Sequence, residues 1–271
     1  MSARRRWSVA VVVVIAAIAL AVAVAVRGSD RDAGAGLSVP QDRPGPVLLV
    51  PGYGGGTREL EVLASTLRAT GRDVVIVRTV AATDLREQAA ALGRAADARL
   101  AAGAPSVDVI GYSSGGVVGR IWADELDGAS VARRIVTLGS PHHGTDVARL
   151  GAAIAPGACP EACRQLVPGS DLLADLAETL PGPVWTAVWT AQDAVVTPPE
   201  SGILDGAVNV RVQDVCGDAR ISHSQLPTDP LVVGLVTLAV AVEALDEVPD
   251  AARCDEIRAA GHEAASRRAS R

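Results

Sequence analysis

The 271-residue chain has no lysine and no phenylalanine, and it has only one methionine. Alanine, valine, glycine and arginine are abundant instead, a bias typical of a GC-rich genome that carries no mechanism. The lack of lysine excludes a phosphate-binding loop at the glycine-rich stretch 52–56, because such a loop is followed by a lysine that reaches the phosphates. The glycine spacing there is not that of a dinucleotide-binding loop either.

Basic charge is also scarce beyond the first residues. The chain has 25 basic and 31 acidic side chains, and four of the arginines lie within residues 1–27. Without that segment the chain has 21 basic and 31 acidic side chains, which gives a formal charge of −10. Binding of a phosphate backbone requires a basic face, so the charge argues against a nucleic-acid partner.

The chain begins with a basic segment, Arg4 to Arg6, and then an unbroken apolar run from Val9 to Val26. This arrangement is typical of an export signal, and small residues near Ala23 and Ala25 offer cleavage points. The run also reaches the lower limit of length for crossing a bilayer. We therefore expect residues 1–27 to be a signal peptide or a membrane anchor, and the protein to be secreted or held outside the cytoplasm. No cysteine lies near the cleavage points, which excludes a lipoprotein anchor there.

All four cysteines follow that segment. An even number of cysteines outside the cytoplasm favours disulfides. Cys159 and Cys163 are close enough in sequence to pair locally, which leaves Cys216 to pair with Cys254, and we favour this pairing among the three combinations. A metal site would need tighter clustering and a nearby histidine, so we expect none.

Short β-branched runs alternate with helical patterns after a Gly-, Pro- and Asp-rich linker at 28–46. This alternation predicts an α/β domain at 47–250 with about six parallel strands, right-handed crossovers and helices on both faces. A polar tail follows at 251–271. The predicted strands are 47–50, 73–80, 106–112, 133–140, 183–193 and 206–214, and the predicted helices are 57–71, 84–102, a helix ending near 126, and 230–245.

One stretch, between Ser140 and Pro183, interrupts the alternation. Its first half holds glycine, proline and the Cys159–Cys163 pair, and its second half has a helical apolar pattern around Leu172 to Leu180. We expect a disulfide-stapled insertion. It is either a lid or binding wall over the carboxyl edge of the sheet, or an ordinary crossover with a stapled loop.

The third predicted strand ends in Gly111-Tyr112-Ser113-Ser114-Gly115, which fits the pattern G-x-S-x-G. That pattern places a serine on a sharp strand-to-helix turn, and its glycines avoid clashes with the neighbouring strand and helix. Ser113 has the correct register, whereas Ser114 would leave Tyr112 where a small residue is required. Ser113 is therefore the candidate nucleophile.

A serine hydroxyl needs a base to remove its proton, so the histidines are the next candidates. His223 follows the last predicted strand, as the chain order serine, acid, histidine requires. His142 and His143 precede any suitable acid, and His262 lies in the polar tail. His223 is therefore the candidate base.

The acid that orients the imidazole is expected at the end of the fifth predicted strand, where Asp193 directly follows "PVWTAVWTAQ". Asp205, in a turn, and Asp214, at the end of the following strand, are rivals. An oxyanion hole also needs backbone amides aimed at the reacting oxygen. The candidates are the amide of Ser114, at the start of a helix, and that of Tyr53, in the glycine-rich loop after the first strand.

Five segments together resemble the bacterial lipase/esterase family of the α/β-hydrolase fold, particularly small secreted triacylglycerol lipases. They are "VLLVPGYGGG", "VDVIGYSSGGVVGR", "IVTLGSPHHGT", "WTAQDAVVTPPES" and "ISHSQL", in the order found in that family. The resemblance implies the same nucleophile, acid, base and oxyanion amides, and an insertion after the sixth-strand position of that fold. Pro51 stands where such lipases often have a histidine before the glycine, so other bonds must position this loop.

The expected function is therefore an exported serine hydrolase that cleaves carboxylic esters through an acyl-enzyme, without a cofactor. Its partner is a small-molecule or lipid ester, and the choice between lipase and short-chain esterase stays open. That the substrate is a lipid is implied by the resemblance and by the apolar helix around 172–180. An acyltransferase or thioesterase would use the same residues. The remaining alternative is a catalytically silent cell-envelope binding protein with its membrane anchor at 9–26, and the complete set of serine, aspartate and histidine argues against it.

Overall fold

The computed structural model describes residues 39–80 and 83–269. The signal or anchor segment predicted at 1–27 and the linker residues 28–38 lie outside the described residues. Within the described ranges, no helix combines the length and the apolar character needed to cross a membrane.

Six parallel strands form one sheet in the order β2-β1-β3-β4-β5-β6, which confirms the predicted strand number and direction. The order reverses between β1 and β3, and ligands of open α/β sheets bind at the carboxyl ends of strands at such a reversal. The strands are β1 (Val47–Val50), β2 (Val74–Ile76), β3 (Val107–Tyr112), β4 (Ala132–Leu138), β5 (Val184–Trp189) and β6 (Val208–Arg211).

Both faces of the sheet are buried, as the near-continuous apolar strands require. Alternate residues of β1 belong to different cores: Val47 and Leu49 lie in one cluster, and Leu48 and Val50 lie in the other. Helices therefore cover both faces, as predicted. They are α1 (Arg58–Ala69), α2 (Leu85–Ala101), α3 (Ser114–Glu125), α4 (Asp146–Ile154), α5 (Glu161–Gln165), α6 (Asp171–Asp175), α7 (Val212–Val215), α8 (Pro230–Ala239) and α9 (Cys254–Ala269).

The last predicted helix, 230–245, ends earlier than expected, at Ala239. The carbonyls that follow the helix accept hydrogen bonds from a buried arginine: the guanidinium of Arg133 donates to the carbonyls of Val240 and Ala241, each at 2.7 Å. Asp108, fully buried on β3, pairs with Arg133 at 2.6 Å. This ion pair on the sheet fixes the chain in a turn where the apolar pattern alone predicts more helix.

Helix α9 forms in the region predicted as a polar tail. It packs against α8 through small residues: a Cβ on Gly234 would lie 2.2 Å from the carbonyl oxygen of Ile257, and one on Gly261 would lie 1.8 Å from that of Pro230. Because α9 contacts its neighbour through glycines, its segment has few large apolar residues. The apolar periodicity that would predict a helix there is therefore weak.

The insertion between β4 and β5 consists of α4, α5 and α6. The apolar helix expected around 172–180 is shorter than predicted: α6 has five residues, and Leu172, Leu173 and Leu176 are buried in the core. These leucines anchor the insertion to the sheet. The hydrophobic pattern was correct, but its apolar face points inward.

The four cysteines form the two favoured pairs. Cys159 and Cys163 bridge within the insertion with a Cα–Cα distance of 5.3 Å. Cys216 and Cys254 join the end of α7 to the start of α9 with a Cα–Cα distance of 5.2 Å. The second bridge fixes α9 to the folded domain.

Candidate active site

Ser113 occupies the sharp turn between β3 and α3, with φ 54° and ψ −129°. Positive φ is costly for a residue with a side chain, and such strain is found at functional sites. The flanking glycines are sterically required: a Cβ on Gly111 would lie 2.5 Å from backbone atoms of Gly115, and one on Gly115 would lie 2.3 Å from the carbonyl oxygen of Val50. Strand and helix can therefore meet closely only because both positions lack a side chain.

A hydrogen-bonded chain links Ser113, His223 and Asp193. The Ser113 Oγ lies 3.1 Å from His223 Nε2, and His223 Nδ1 lies 2.7 Å from Asp193 Oδ2. All three residues are buried. A carboxylate only accepts, so Nδ1 carries the proton and Nε2 is left to accept the serine hydroxyl. The structure thus brings together the three residues predicted as nucleophile, base and acid.

Asp193 is held by its own loop. Its Oδ1 accepts hydrogen bonds from the backbone amides of Val195 and Val196, both at 2.8 Å. Its own amide donates to the carbonyl of Thr190 at 3.2 Å. One carboxylate oxygen therefore fixes the loop while the other faces the imidazole.

A polar brace formed by Thr190 and Gln213 connects the loop that holds Asp193, the loop of the acid, with the loop that holds His223. The Thr190 hydroxyl, fully buried, donates to the carbonyl of Ile221 at 2.8 Å. It accepts from Gln213 Nε2 at 2.9 Å, and Gln213 Oε1 accepts from the amide of Ala191 at 3.1 Å. Sequence reasoning missed both residues. The only signal was the position of Thr190 at the end of β5, three residues before Asp193.

Gly139 packs against the contact between Asp193 and His223. It was not predicted from the sequence. Its φ is 54°, and a Cβ there would lie 2.5 Å from Leu226 Cδ1 and 3.2 Å from both Asp193 Oδ2 and His223 Nδ1. A glycine directly after β4 was the available signal. Only the fold brings it against the imidazole.

Tyr112 contacts His223 from the other side. Its hydroxyl donates to the backbone carbonyl of His223 at 3.3 Å, and the two rings lie 5.2 Å apart. Burial raises the pKa of this hydroxyl from 10 to about 12, and the charges of Glu59 and Asp193 add to the effect. The phenol therefore stays protonated as a donor throughout the neutral range.

The glycine-rich loop after β1 lies against the nucleophile, as a Cβ on Gly52 would be 2.8 Å from Ser113 Cβ. Within the loop, the amide of Gly55 donates to the carbonyl of Gly52 at 3.0 Å, which closes a turn. Ser114 is the first residue of α3, so its amide has no carbonyl partner within the helix. The glycine-rich loop and the start of α3 are the two segments predicted to supply the oxyanion amides, those of Tyr53 and Ser114.

The other histidines have different surroundings. His142 is fully buried, with Nε2 3.0 Å from the Thr137 hydroxyl. Burial lowers the pKa of His142 well below 6.5, and the charges of Arg120 and His143 lower it further. His143 contacts Glu178 at 3.0 Å, and His262 is exposed on α9.

The rival acids, Asp205 and Asp214, are both exposed and lie away from the imidazole. Asp214 pairs with Arg211 on the surface, and the amide of Asp205 donates to Glu178 at 3.1 Å. Neither carboxylate contacts His223 in the described part of the chain.

An apolar pocket of about 180 Å³ opens beside Ser113. The glycine-rich loop, the insertion and the loop of the acid all contribute to its walls, which include Tyr53, Pro141, Ala148, Leu166 and Val196. Helix α4 presents exposed apolar side chains next to it, namely Val147, Leu150 and Ile154. Their spacing of three and four residues places them on one face of the helix.

Among the described residues, one group has the composition of a metal site: Cys216, Asp218 and Cys254. Both of its sulfurs are bonded to each other in the disulfide. This group therefore lacks the thiolates that would bind a metal.

No protein-family model matches the chain, and no curated protein matches it in sequence. Among solved structures, the chain is similar to the lipase BlEst2 of Bacillus licheniformis. With the mature form it shares 16% identity at a TM-score of 0.61, covering 73% of this chain and 92% of that one. With the propeptide form it shares 17% identity at a TM-score of 0.61, covering 74% of this chain and about half (51%) of that one. Together with the sheet, this similarity establishes that the chain has the α/β-hydrolase fold.

Proposed function

We propose that the protein is an exported serine hydrolase that cleaves carboxylic esters. The observation that carries the proposal is the continuous hydrogen-bonded chain from Ser113 through His223 to Asp193, at the carboxyl edge of the sheet. A strained serine, a correctly oriented imidazole and a buried carboxylate are the components of nucleophilic acyl transfer.

In the proposed reaction, Ser113 Oγ attacks the acyl carbon while His223 Nε2 takes its proton. The oxyanion of the tetrahedral intermediate accepts hydrogen bonds from the amides of Tyr53 and Ser114. His223 then gives the proton to the departing alcohol, and Asp193 stabilises the imidazolium throughout. Water attacks the acyl-enzyme by the same route and releases the acid.

Three further observations support the finer parts of the proposal. The apolar pocket beside Ser113 and the exposed apolar face of α4 are suited to a lipid-like acyl group. Bacillus licheniformis BlEst2, which has the same fold, is a lipase. Two disulfides in a chain of this size are typical of proteins that function outside the cytoplasm.

Hydrolysis of p-nitrophenyl esters by the purified full chain tests the proposal, with Ser113→Ala as the critical variant. We expect kcat/KM to fall by more than about 10³-fold, because loss of a triad member costs several orders of magnitude. Ser224→Ala, an exposed serine one residue after His223, is the control and keeps its activity. Ser113→Ala retaining activity within about tenfold of the parent would contradict the proposal.

A further inference from the structure

Two of the segments that wall the apolar pocket beside Ser113 are helix α4, which contributes Ala148, and the loop that holds Asp193, which contributes Val196. We propose that this pocket takes the acyl chain of the substrate and that the preferred substrates are esters of unbranched acids with about six to eight carbons. This inference rests on the proposed ester hydrolase activity and specifies its substrate class.

Apart from the nucleophile, the buried hydroxyl in the wall is that of Thr145, and it is already hydrogen-bonded. Thr145, at the base of α4, uses its hydroxyl to donate to the carbonyl of Val195 at 2.7 Å. The same oxygen accepts from the amide of Thr197 at 3.1 Å. With that hydroxyl engaged, an alkyl chain enters without leaving a buried donor unpaired, whereas a polar acyl group would lose its hydration without compensation.

The size of the pocket sets the chain length. An apolar cavity of about 150 Å³ in another protein holds a six-carbon ring, and this pocket measures about 180 Å³. Each buried methylene strengthens binding by about fourfold until the space is filled. A chain that exceeds it must emerge into solvent or displace the wall.

The wall is braced against displacement. The amide of Thr145 donates to the carbonyl of Leu166 at 2.9 Å, and the amide of Asp146 donates to that of Thr197 at 2.8 Å. Cys163, tied by the insertion's disulfide, also lines the pocket and contacts the carbonyl of Ala148 at 4.0 Å. Helix α4 is therefore attached on both sides, which keeps the pocket from widening for long chains.

Ala148 and Ala153 provide a matched pair for the test. Ala148 lines the pocket and is buried, whereas Ala153 lies exposed on the same helix, outside the pocket. A leucine at Ala148 fills the pocket, and a leucine at Ala153 adds the same side chain to solvent. Helix propensity is affected equally in both variants, so only the pocket distinguishes them.

The experiment measures kcat/KM for p-nitrophenyl esters from acetate to hexadecanoate. We expect the parent to prefer hexanoate or octanoate, and the octanoate-to-acetate ratio to fall at least about tenfold in Ala148→Leu. The same ratio stays within about twofold in Ala153→Leu. Thermal melting checks that each variant folds, and Ala148→Val replaces Ala148→Leu if the latter does not.

The outcomes separate this inference from the proposed function. A parent that hydrolyses none of the esters overturns both. A parent that hydrolyses esters but prefers acetate, or whose rate rises steadily to hexadecanoate, overturns only the chain-length inference. Equal ratios in Ala148→Leu and Ala153→Leu also overturn it, because the acyl chain then lies outside the pocket.

Discussion

Asp193→Asn replaces one carboxylate oxygen by an amide nitrogen at the point where the acid meets the imidazole. The backbone amides of Val195 and Val196 donate to Oδ1 at 2.8 Å each, so the asparagine oxygen must remain there to accept them. Its NH₂ group then faces His223 Nδ1, which lies 2.7 Å from Oδ2 in the parent. A donor in that place forces Nδ1 to accept, and the imidazole proton moves to Nε2.

With the proton on Nε2, His223 cannot accept the proton of Ser113 3.1 Å away. An inverted tautomer of this kind costs about 10⁴-fold in turnover, or about 5.4 kcal/mol of transition-state stabilisation. The variant keeps the side-chain shape and both backbone hydrogen bonds. The free energy of unfolding therefore falls by less than about 2 kcal/mol.

The assay compares kcat/KM and urea unfolding for Asp193→Asn with those of Asp205→Asn and Asp214→Asn. Only the first should lose turnover, because the other two carboxylates do not contact the imidazole. A folded Asp193→Asn enzyme with more than about a tenth of parental kcat/KM would refute this account of the acid. So would a comparable loss in Asp205→Asn.

Three further predictions concern the support of the site. Gly139→Ala should lower both kcat and the free energy of unfolding, the latter by about 1–3 kcal/mol, because position 139 has a positive φ and a Cβ there clashes beneath the imidazole. Parental values in urea unfolding and turnover would contradict this. Thr190→Val breaks the polar brace and should lower kcat, whereas Thr190→Ser keeps the hydroxyl and the parental kcat. Equal kcat values for the two variants would exclude a positioning role. The double variant Cys216→Ser, Cys254→Ser opens a bridge that spans 38 residues and should lower the free energy of unfolding by about 4 kcal/mol in a denaturant titration. Opening the short bridge of the insertion should lower it by about 2 kcal/mol, and equal losses would contradict the loop-length explanation.

Local patterns were sufficient to predict the six strands, because each is a short β-branched run between glycine or proline signals. The same patterns indicated where Ser113, Asp193 and His223 lie, since each follows a strand and the carboxyl ends of parallel strands meet at one edge. The structure brings these three side chains together. Their order along the chain was the useful signal.

Features that depend on contacts between distant segments were not predictable. The polar brace joins Thr190 to Gln213, and Gly139 contacts an imidazole that lies far along the chain. The early end of α8 depends on Arg133, a residue of β4. Sequence periodicity reports which residues are apolar, but not which partner buries them. For this reason the apolar pattern of Leu172 and its neighbours, from which a lipid substrate was inferred, belongs to the core.

The central claim, that Ser113 is the nucleophile, is tested most directly by labelling the folded chain with a fluorophosphonate and locating the adduct by mass spectrometry. Trypsin releases residues 100–120 as one peptide, because arginines precede and end it, and this peptide contains both Ser113 and Ser114. Fragmentation should place the adduct on Ser113, with labelling lost in His223→Ala and after denaturation. An adduct on Ser114, or no adduct on folded protein, would contradict the account.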